Sequence, residues 1–451
     1  MFPALLLALS LGTSPAEPVP GHDLVRPRQF RNDGAERVSR LGQTSYAFFD
    51  AFPSDGAGTS GACSTTAPTG ARGEVLTFTR ASSATCTKTA TGGLATTGIA
   101  DGDLVSLSTN VARVEYDSAG TLGLLVESAR TNVALRSQEL DPAGAGAGAW
   151  TVISGGGPAL PTVTADACTA PDGTLTAERV QIPAVSGAAK YTLLRQSRAI
   201  ASNSRYTLYA RSYTGAGAQT FWISEGSLIG NAATNCATLE GSWMRCEVAA
   251  QAAGAGQIDI GTNTGITAIG TGSHPAADLC VWGVDVEAGA YATSYIPTTS
   301  AAVTRAAETA SFPGAAWPVS PVSFASSVTT AWSGTATAAD MFVGNVGSNS
   351  GWGFGWSGGT LRSQPCTAGV CATLDVAQGP TALAASRWAV SYSGTTTSIY
   401  KDAALIAGPT VKTAPNSPWA TNTTFGSGVG WGWLNGIITR VCLDPDPTRC
   451  R

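Results

Sequence analysis

The sequence predicts an all-β protein: two tandem antiparallel β-sandwiches of the jelly-roll kind, preceded by a β-ribbon. Three observations carry that expectation. Charged residues make up 12% of the chain and Gly numbers 54, so short strands and many turns are expected where an ordinary domain has about twice the charge. Thr, Val and Tyr recur while helix formers are sparse. Apolar and polar residues alternate with period two in one stretch after another. At 451 residues the chain exceeds one ordinary core, and 43% hydrophobic residues are enough to fill two. That composition excludes global disorder.

Met1–Ala16 reads as a secretory signal peptide, with an apolar core from Phe2 to Leu11 and small residues at Ser14 and Ala16. It lacks a basic start. The alternative, an apolar anchor, is short of the ~20 residues a spanning helix needs, and no later stretch could cross a membrane. Residues 17–70 read as a linker, rich in Pro and in charges such as Arg26, Arg28, Asp33 and Glu36. An aromatic patch, Tyr46–Phe52, could dock on the body.

Residues 71–135 read as a β-ribbon packing on the next domain. Glu74–Arg80 and Val111–Tyr116 alternate, Asp117–Gly120 is a turn, and Leu122–Val126 returns as an apolar strand. Glu127 and Arg130 are expected to hold its corner together. Residues 136–304 read as a sandwich. Its strands are Leu175–Val180 after the Pro171–Gly173 turn, Tyr206–Ser212, Gln219–Ser224, Gln257–Ile260 and Leu279–Val286. In the stretch Trp282–Glu308, Gly289 ends the closing strand, and Pro297 fixes a turn that hands over to the next domain. Residues 305–451 read as the second sandwich. It holds a Gly/Trp-rich meander from Phe342 to Trp356, strands at Ser386–Tyr392 and Thr395–Lys401, and a closing strand at Trp431–Val441.

Ten cysteines with no CxxC spacing argue for export and against a zinc ribbon. Proximity suggests Cys366–Cys371, Cys442–Cys450 and Cys236–Cys246. Cys63–Cys86 and Cys168–Cys280 are further candidate pairs, and buried free thiols are the alternative.

Several stretches resemble modular β-proteins of tailed-phage fibres and spikes and of secreted bacterial proteins. These are Phe78–Thr85 (FTRASSAT), Gly123–Asn132 (GLLVESARTN), Ala292–Thr299 (ATSYIPTT) and Ala302–Ala306 (AVTRA). The resemblance spans roughly residues 74–308 and implies a scaffold around a jelly roll similar to carbohydrate-binding modules. Arg387–Gly394 followed by Ser398–Asp402, with Leu434–Val441, is similar to a concanavalin A-like (laminin-G-type) lectin or glucanase sandwich. Ala403 departs from that pattern, standing where Gly usually follows the hairpin Asp.

The chemistry these residues allow is narrow. A net charge of −4, with ammonium groups at Lys88, Lys190, Lys401 and Lys412, offers no phosphate-tracking patch, so nucleic acid is excluded as a partner. His22 and His274 are the two imidazoles, and no G-x-S-x-G elbow accompanies them. His274 reads as a solvent-exposed loop histidine. A glycosidase needs two carboxylates across a cleft, yet residues 309–451 contain no Glu. Asp285 and Glu287 share a strand face but sit in the scaffold block, where structural roles are expected. No catalytic residues are therefore assigned. Tryptophans carry the functional expectation, because sugar C–H faces pack on indole rings. Trp352, Trp356, Trp431 and Trp433 lie among Gly and Ser, and Trp222 lies in the central sandwich; core packing is the competing role for each. Trp243, Trp282 and Trp388 are assigned to the core. No cofactor is expected. Calcium supports both sandwich types elsewhere, but no DxDxDG loop marks a site. The resulting expectation is a secreted, non-catalytic lectin-like protein whose partners are glycans or cell-surface polysaccharide. A structural or adhesion component assembling through protein contacts is the alternative, and a glycoside hydrolase comes third. The sequence leaves the oligomeric state open.

Overall fold

The computed structural model describes residues 48–50, 62–65, 76–89, 97–117, 120–143, 146, 148–215, 219–224, 233–237, 241–248, 256–265, 272–289, 291–312, 322–330, 340–346, 351–357, 360–367, 370–381, 384–393, 396–411, 423–425 and 434–444. Every element among them is a β-strand. None is a helix long and apolar enough to cross a membrane.

The central sandwich is built from two sheets. One runs Met244–Val248, Ser204–Ser212, Ala277–Ala288, Ala177–Ile182, Thr162–Cys168; the other runs Ala233–Ala237, Thr220–Ser224, Gln257–Asn263, Tyr191–Ser197, Thr151–Gly155. Period-two alternation turns one set of side chains inward. Trp150, Leu194, Leu208, Ile223, Ile260 and Val281 form its core, each fully buried.

The carboxy-terminal sandwich is not confined to residues 305–451. Its first sheet runs Ala404–Val411, Thr396–Lys401, Ala385–Ser393, Val322–Thr330, Gly436–Asp444, Leu122–Val126, Arg113–Tyr116, and Phe48–Asp50 also pairs with Gly436–Asp444. Its second sheet includes Thr77–Thr79 beside Thr309–Phe312, then Thr423–Phe425, Asp340–Val346, Gly351–Ser357 and Thr360–Thr367. The segment expected as a ribbon on the next domain is thus divided. Thr77–Thr79, Arg113–Tyr116 and Leu122–Val126 belong to the carboxy-terminal sandwich, while Arg130–Asn132 joins the central one. The central sandwich is nested inside the other rather than placed in tandem before it. The physical reason lies in hydrophobic pairing. Phe78, Leu124 and Val126 pack in one cluster with Phe354, Trp356 and Ile438, and Gly123 lets its strand close on Gly436–Asp444. A Cβ there would lie 2.4 Å from Ile437 and 2.7 Å from the Ile438 carbonyl oxygen.

The chain enters the central sandwich through Arg130–Asn132 and leaves it through Val303–Arg305, and these two strands pair antiparallel. Around them lies a buried ionic network. Arg113 donates to Glu308 (2.6 Å and 2.7 Å), to Glu127 (2.6 Å) and to Ser294. Arg305 also pairs with Glu127, and Arg80 with Glu308 at 2.9 Å. All five charged side chains are 1% exposed or less. Burial alone would raise Glu127, but Arg305 and Arg113 outweigh it and hold the carboxyl down at about 2. Glu115 lies beside them with one oxygen accepting the Thr87 N–H and the other unpaired. Burial, reinforced by Glu127, pushes it up to about 8 against the pull of Arg113. Arg130, expected to pair with Glu127, instead lies 5.3 Å from the Tyr291 ring centroid.

Disulfides join Cys366–Cys371, as proximity suggested, and the two further candidate pairs Cys63–Cys86 and Cys168–Cys280. Cys246 is also disulfide-bonded. Cys450 lies outside the described residues, as do His22, the linker's charged run and the amino-terminal apolar run. At the 401–404 hairpin, Asp402 and Ala403 both adopt left-handed φ values, 47° and 68°, the requirement of a two-residue primed turn. Alanine therefore takes the position the related pattern gives to glycine.

Two outcomes follow for stability. Glu308→Ala strips Arg113 and Arg80 of a buried partner, and chemical denaturation should show a loss of about 3–5 kcal/mol. A carboxyl raised in the folded state leaves stability intact below the unfolded value and erodes it as pH rises toward about 8. The melting temperature of Glu115→Gln relative to the parent should therefore climb between pH 5 and pH 8.

Candidate functional site

The five-stranded sheet containing Thr220–Ser224 presents two faces. Phe221, Ile223, Leu194, Ile258 and Ile260 point into the core, so Trp222, Leu193, Arg195 and Asp259 point away from it. Strand register places these side chains in rows. The central row is Ile153, Leu193, Gly261 and Trp222. Gly261 has φ +141°, and a Cβ on it would meet the Thr192 carbonyl oxygen at 2.4 Å. Only glycine fits there, between Leu193 and Trp222 in the row.

On one side of this row, Arg195 grips Asp259 through two parallel hydrogen bonds of 2.5 Å and 2.6 Å, beside Ser224. Asp259 is fully buried. Burial raises its carboxyl, while Arg195 pulls it back. On the other side lie Gly155, Tyr191 and Asn263. The Tyr191 ring occupies the space a Gly155 side chain would fill. Asn263 Oδ1 accepts the Gly265 N–H, which leaves its Nδ2 without a partner among the described residues.

His274 closes one end. It is not the exposed loop residue the sequence suggested. Ser273–His274 pairs with Val185–Ser186, and the imidazole stands edge-on to Trp222 with centroids 4.5 Å apart. Its Nε2 is buried with no hydrogen-bond partner. Trp222 is 7% exposed, and its indole N–H has no acceptor among the described residues. The face thus combines the Trp222 ring, a neutral guanidinium–carboxylate plane, and amide and imidazole nitrogens without partners among the described residues.

The other tryptophans fare differently. Trp356 is fully buried, stands edge-on to Trp388 at 5.4 Å, and donates its N–H to the Gln378 carbonyl. It fills the core and offers no ring face to a ligand, which corrects its place among the candidate platforms. Trp352 lies in Gly351–Ser357 with its side chain outside the described residues; Trp431 and Trp433 are likewise outside them. Trp243, Trp282 and Trp388 are fully buried, as expected.

Asp285 and Glu287 are also enclosed, each 1% exposed. Glu287 accepts the Thr293 N–H and hydroxyl, and Asp285 accepts the Ile296 N–H. Burial raises both carboxyls; the like charge of Glu287 raises Asp285 further, while Arg305 and the Thr293 hydrogen bonds pull Glu287 back. The 291–298 segment lies over them through these hydrogen bonds. Among the described residues, no group of three or more His, Cys, Asp or Glu could hold a metal ion.

No family model matches the chain, and neither does any curated protein. Among solved structures, domain 4 of AbnA, an extracellular GH43 arabinanase from Geobacillus stearothermophilus solved with arabinotriose, is 15% identical. That match covers 36% of this chain and 78% of that one, with a TM-score of 0.25. Domains LG4-5 of the mouse laminin alpha1 chain match at 11% identity over 58% and 90% of the two chains, with a TM-score of 0.20. Truncated AlyQ, with CBM32 and alginate lyase domains, matches at 10% identity over 59% and 91%, with a TM-score of 0.22. At these scores the likenesses carry no argument about ligand or activity.

The floor of the face is open to test. Gly261→Ala forces a Cβ against backbone in a left-handed region and should cost about 1–3 kcal/mol in thermal or chemical unfolding.

Proposed function

We propose that this protein is a secreted, non-catalytic carbohydrate-binding protein that engages glycans or cell-surface polysaccharide, with the Trp222 face as its site. One observation carries the reading: on the sheet face turned away from the core, Trp222 stands against His274, with the bidentate Arg195–Asp259 plane on one side of its row and the Asn263 amide on the other. A sugar ring has a C–H face that packs on an aromatic ring face and hydroxyls that need planar polar partners. The disulfides support an oxidising, exported setting. The enclosure of Asp285 and Glu287 supports a binding role over hydrolysis.

A second reading, assembly through protein contacts, draws on a different feature. Ala404–Val411 ends its sheet, with Leu405 50% and Val411 77% exposed. An apolar edge strand of this kind is a pairing surface. Sizing with light scattering separates the two: a concentration-dependent oligomer abolished by Leu405→Lys and Val411→Lys favours assembly.

The primary test is intrinsic tryptophan fluorescence of the full chain titrated with soluble polysaccharides. A saturable shift is expected, weakened about tenfold, or roughly 1.4 kcal/mol, in Trp222→Phe, which keeps the apolar fill. A flat response across the panel overturns the proposal.

A further inference from the structure

We infer that the opposite sheet of the central sandwich carries a second glycan site, centred on Tyr213 and suited to a neutral polysaccharide. Tyr213 is the most exposed aromatic side chain among the described residues, at 40%. Its neighbours are fixed by register. On the outward face, one row runs Thr162, Gln181, Asp278, Tyr213, and the next runs Thr164, Arg179, Cys280, Arg211. The other end of this face is covered by Ile99 and Leu104 packing on Trp243, Trp282 and the Cys168–Cys280 bridge. The Tyr213 end is left open.

The ring is held rather than loose. The Arg179 guanidinium lies 4.0 Å from the Tyr213 centroid. Its plane is locked by two hydrogen bonds to Asp278, of 2.9 Å and 2.7 Å. One ring face therefore rests on a cation and the other is held outward. A pre-oriented ring spends little conformational entropy on binding, and the cation beneath it adds rigidity that core packing does not require. Tyr213 belongs to none of the buried clusters. Polar partners flank the platform. Gln181 makes no hydrogen bond through its amide among the described residues, Arg179 keeps Nη1 free, and the Thr162 side chain is exposed.

The charges decide the ligand class. Arg179 is matched by Asp278 and Arg211 by Asp101 at 2.9 Å. Arg211 also stacks on Trp243, whose N–H goes to the same Asp101. Each cation is paired, so nothing here attracts a uronate or sulfate. A neutral pyranose or furanose polymer meets a C–H-accepting ring beside amide, hydroxyl and guanidinium donors. The inference is independent of the Trp222 face, because the two sites lie on different sheets. Together they would let one molecule hold two chains, or two points on one chain.

The test is affinity electrophoresis of the full chain through gels containing hydroxyethyl cellulose, galactomannan or polygalacturonate. Six proteins are compared: the parent, Trp222→Phe, Tyr213→Ala, the double variant, Trp222→Phe combined with Tyr213→Trp, and Trp222→Phe combined with Arg179→Met. Retardation of Trp222→Phe by a neutral polymer, lost in the double variant and retained in Trp222→Phe combined with Tyr213→Trp, supports the site. Arg179→Met should weaken it as well, since the ring loses its support. Unchanged melting temperatures show that the losses are local. Equal retardation of Trp222→Phe and the double variant overturns the inference, as does a Trp222→Phe protein retarded by none of the polymers or by polygalacturonate alone. Loss in Trp222→Phe with no further effect of Tyr213→Ala leaves only the first face standing.

Discussion

The arrangement depends on the buried meeting of Arg113 with Glu127 and Glu308. Each carboxylate serves two guanidiniums, Glu127 taking Arg305 as well and Glu308 taking Arg80. Such charges are costly to desolvate, and the geometry must be nearly complete for the attraction to offset that cost. Here it is: the remaining donors of Arg80 reach the Ser82, Val111 and Ser108 carbonyls. Because the five side chains come from four separate stretches, the network can form only when both sandwiches are in register. It acts as a specificity device more than as a source of net stability.

That network draws a charge from three of the sequence blocks singled out above. FTRASSAT contributes Arg80, GLLVESARTN contributes Glu127, and AVTRA contributes Arg305. Each motif keeps a charged residue that must find one partner in the dry interior. Substituting Arg80, Glu127 or Arg305 would leave a buried charge unpaired.

Much of the fold was legible from alternation and turn residues. The Pro171–Gly173 turn closes with the Gly173 N–H on the Ala170 carbonyl, and Asp117–Gly120 closes the same way. Period-two patterning located Ser204–Ser212 and Ala277–Ala288 within a few residues. What alternation cannot report is which strand lies beside which. Leu122–Val126 reads as an apolar strand in any register, and its pairing with Gly436–Asp444, over 300 residues on, has no local signature. The site was less legible. Glycine neighbours suggested exposure for Trp356, yet a Gly-flanked ring can sink into a core between strands, as it does there. Tyr213 gave no signal because its prominence comes from Arg179 across the sheet, a contact set by long-range register.

The pairing of Arg130–Asn132 with Val303–Arg305 has a mechanical consequence. The entry and exit of the central sandwich lie side by side, so tension applied to the chain's ends passes across that pair instead of along the inserted domain. Load would be borne by Phe48–Asp50 and Gly436–Asp444, which are themselves neighbours in the host sheet. The central sandwich would hang outside the line of force and keep its shape while the host sheet is stretched.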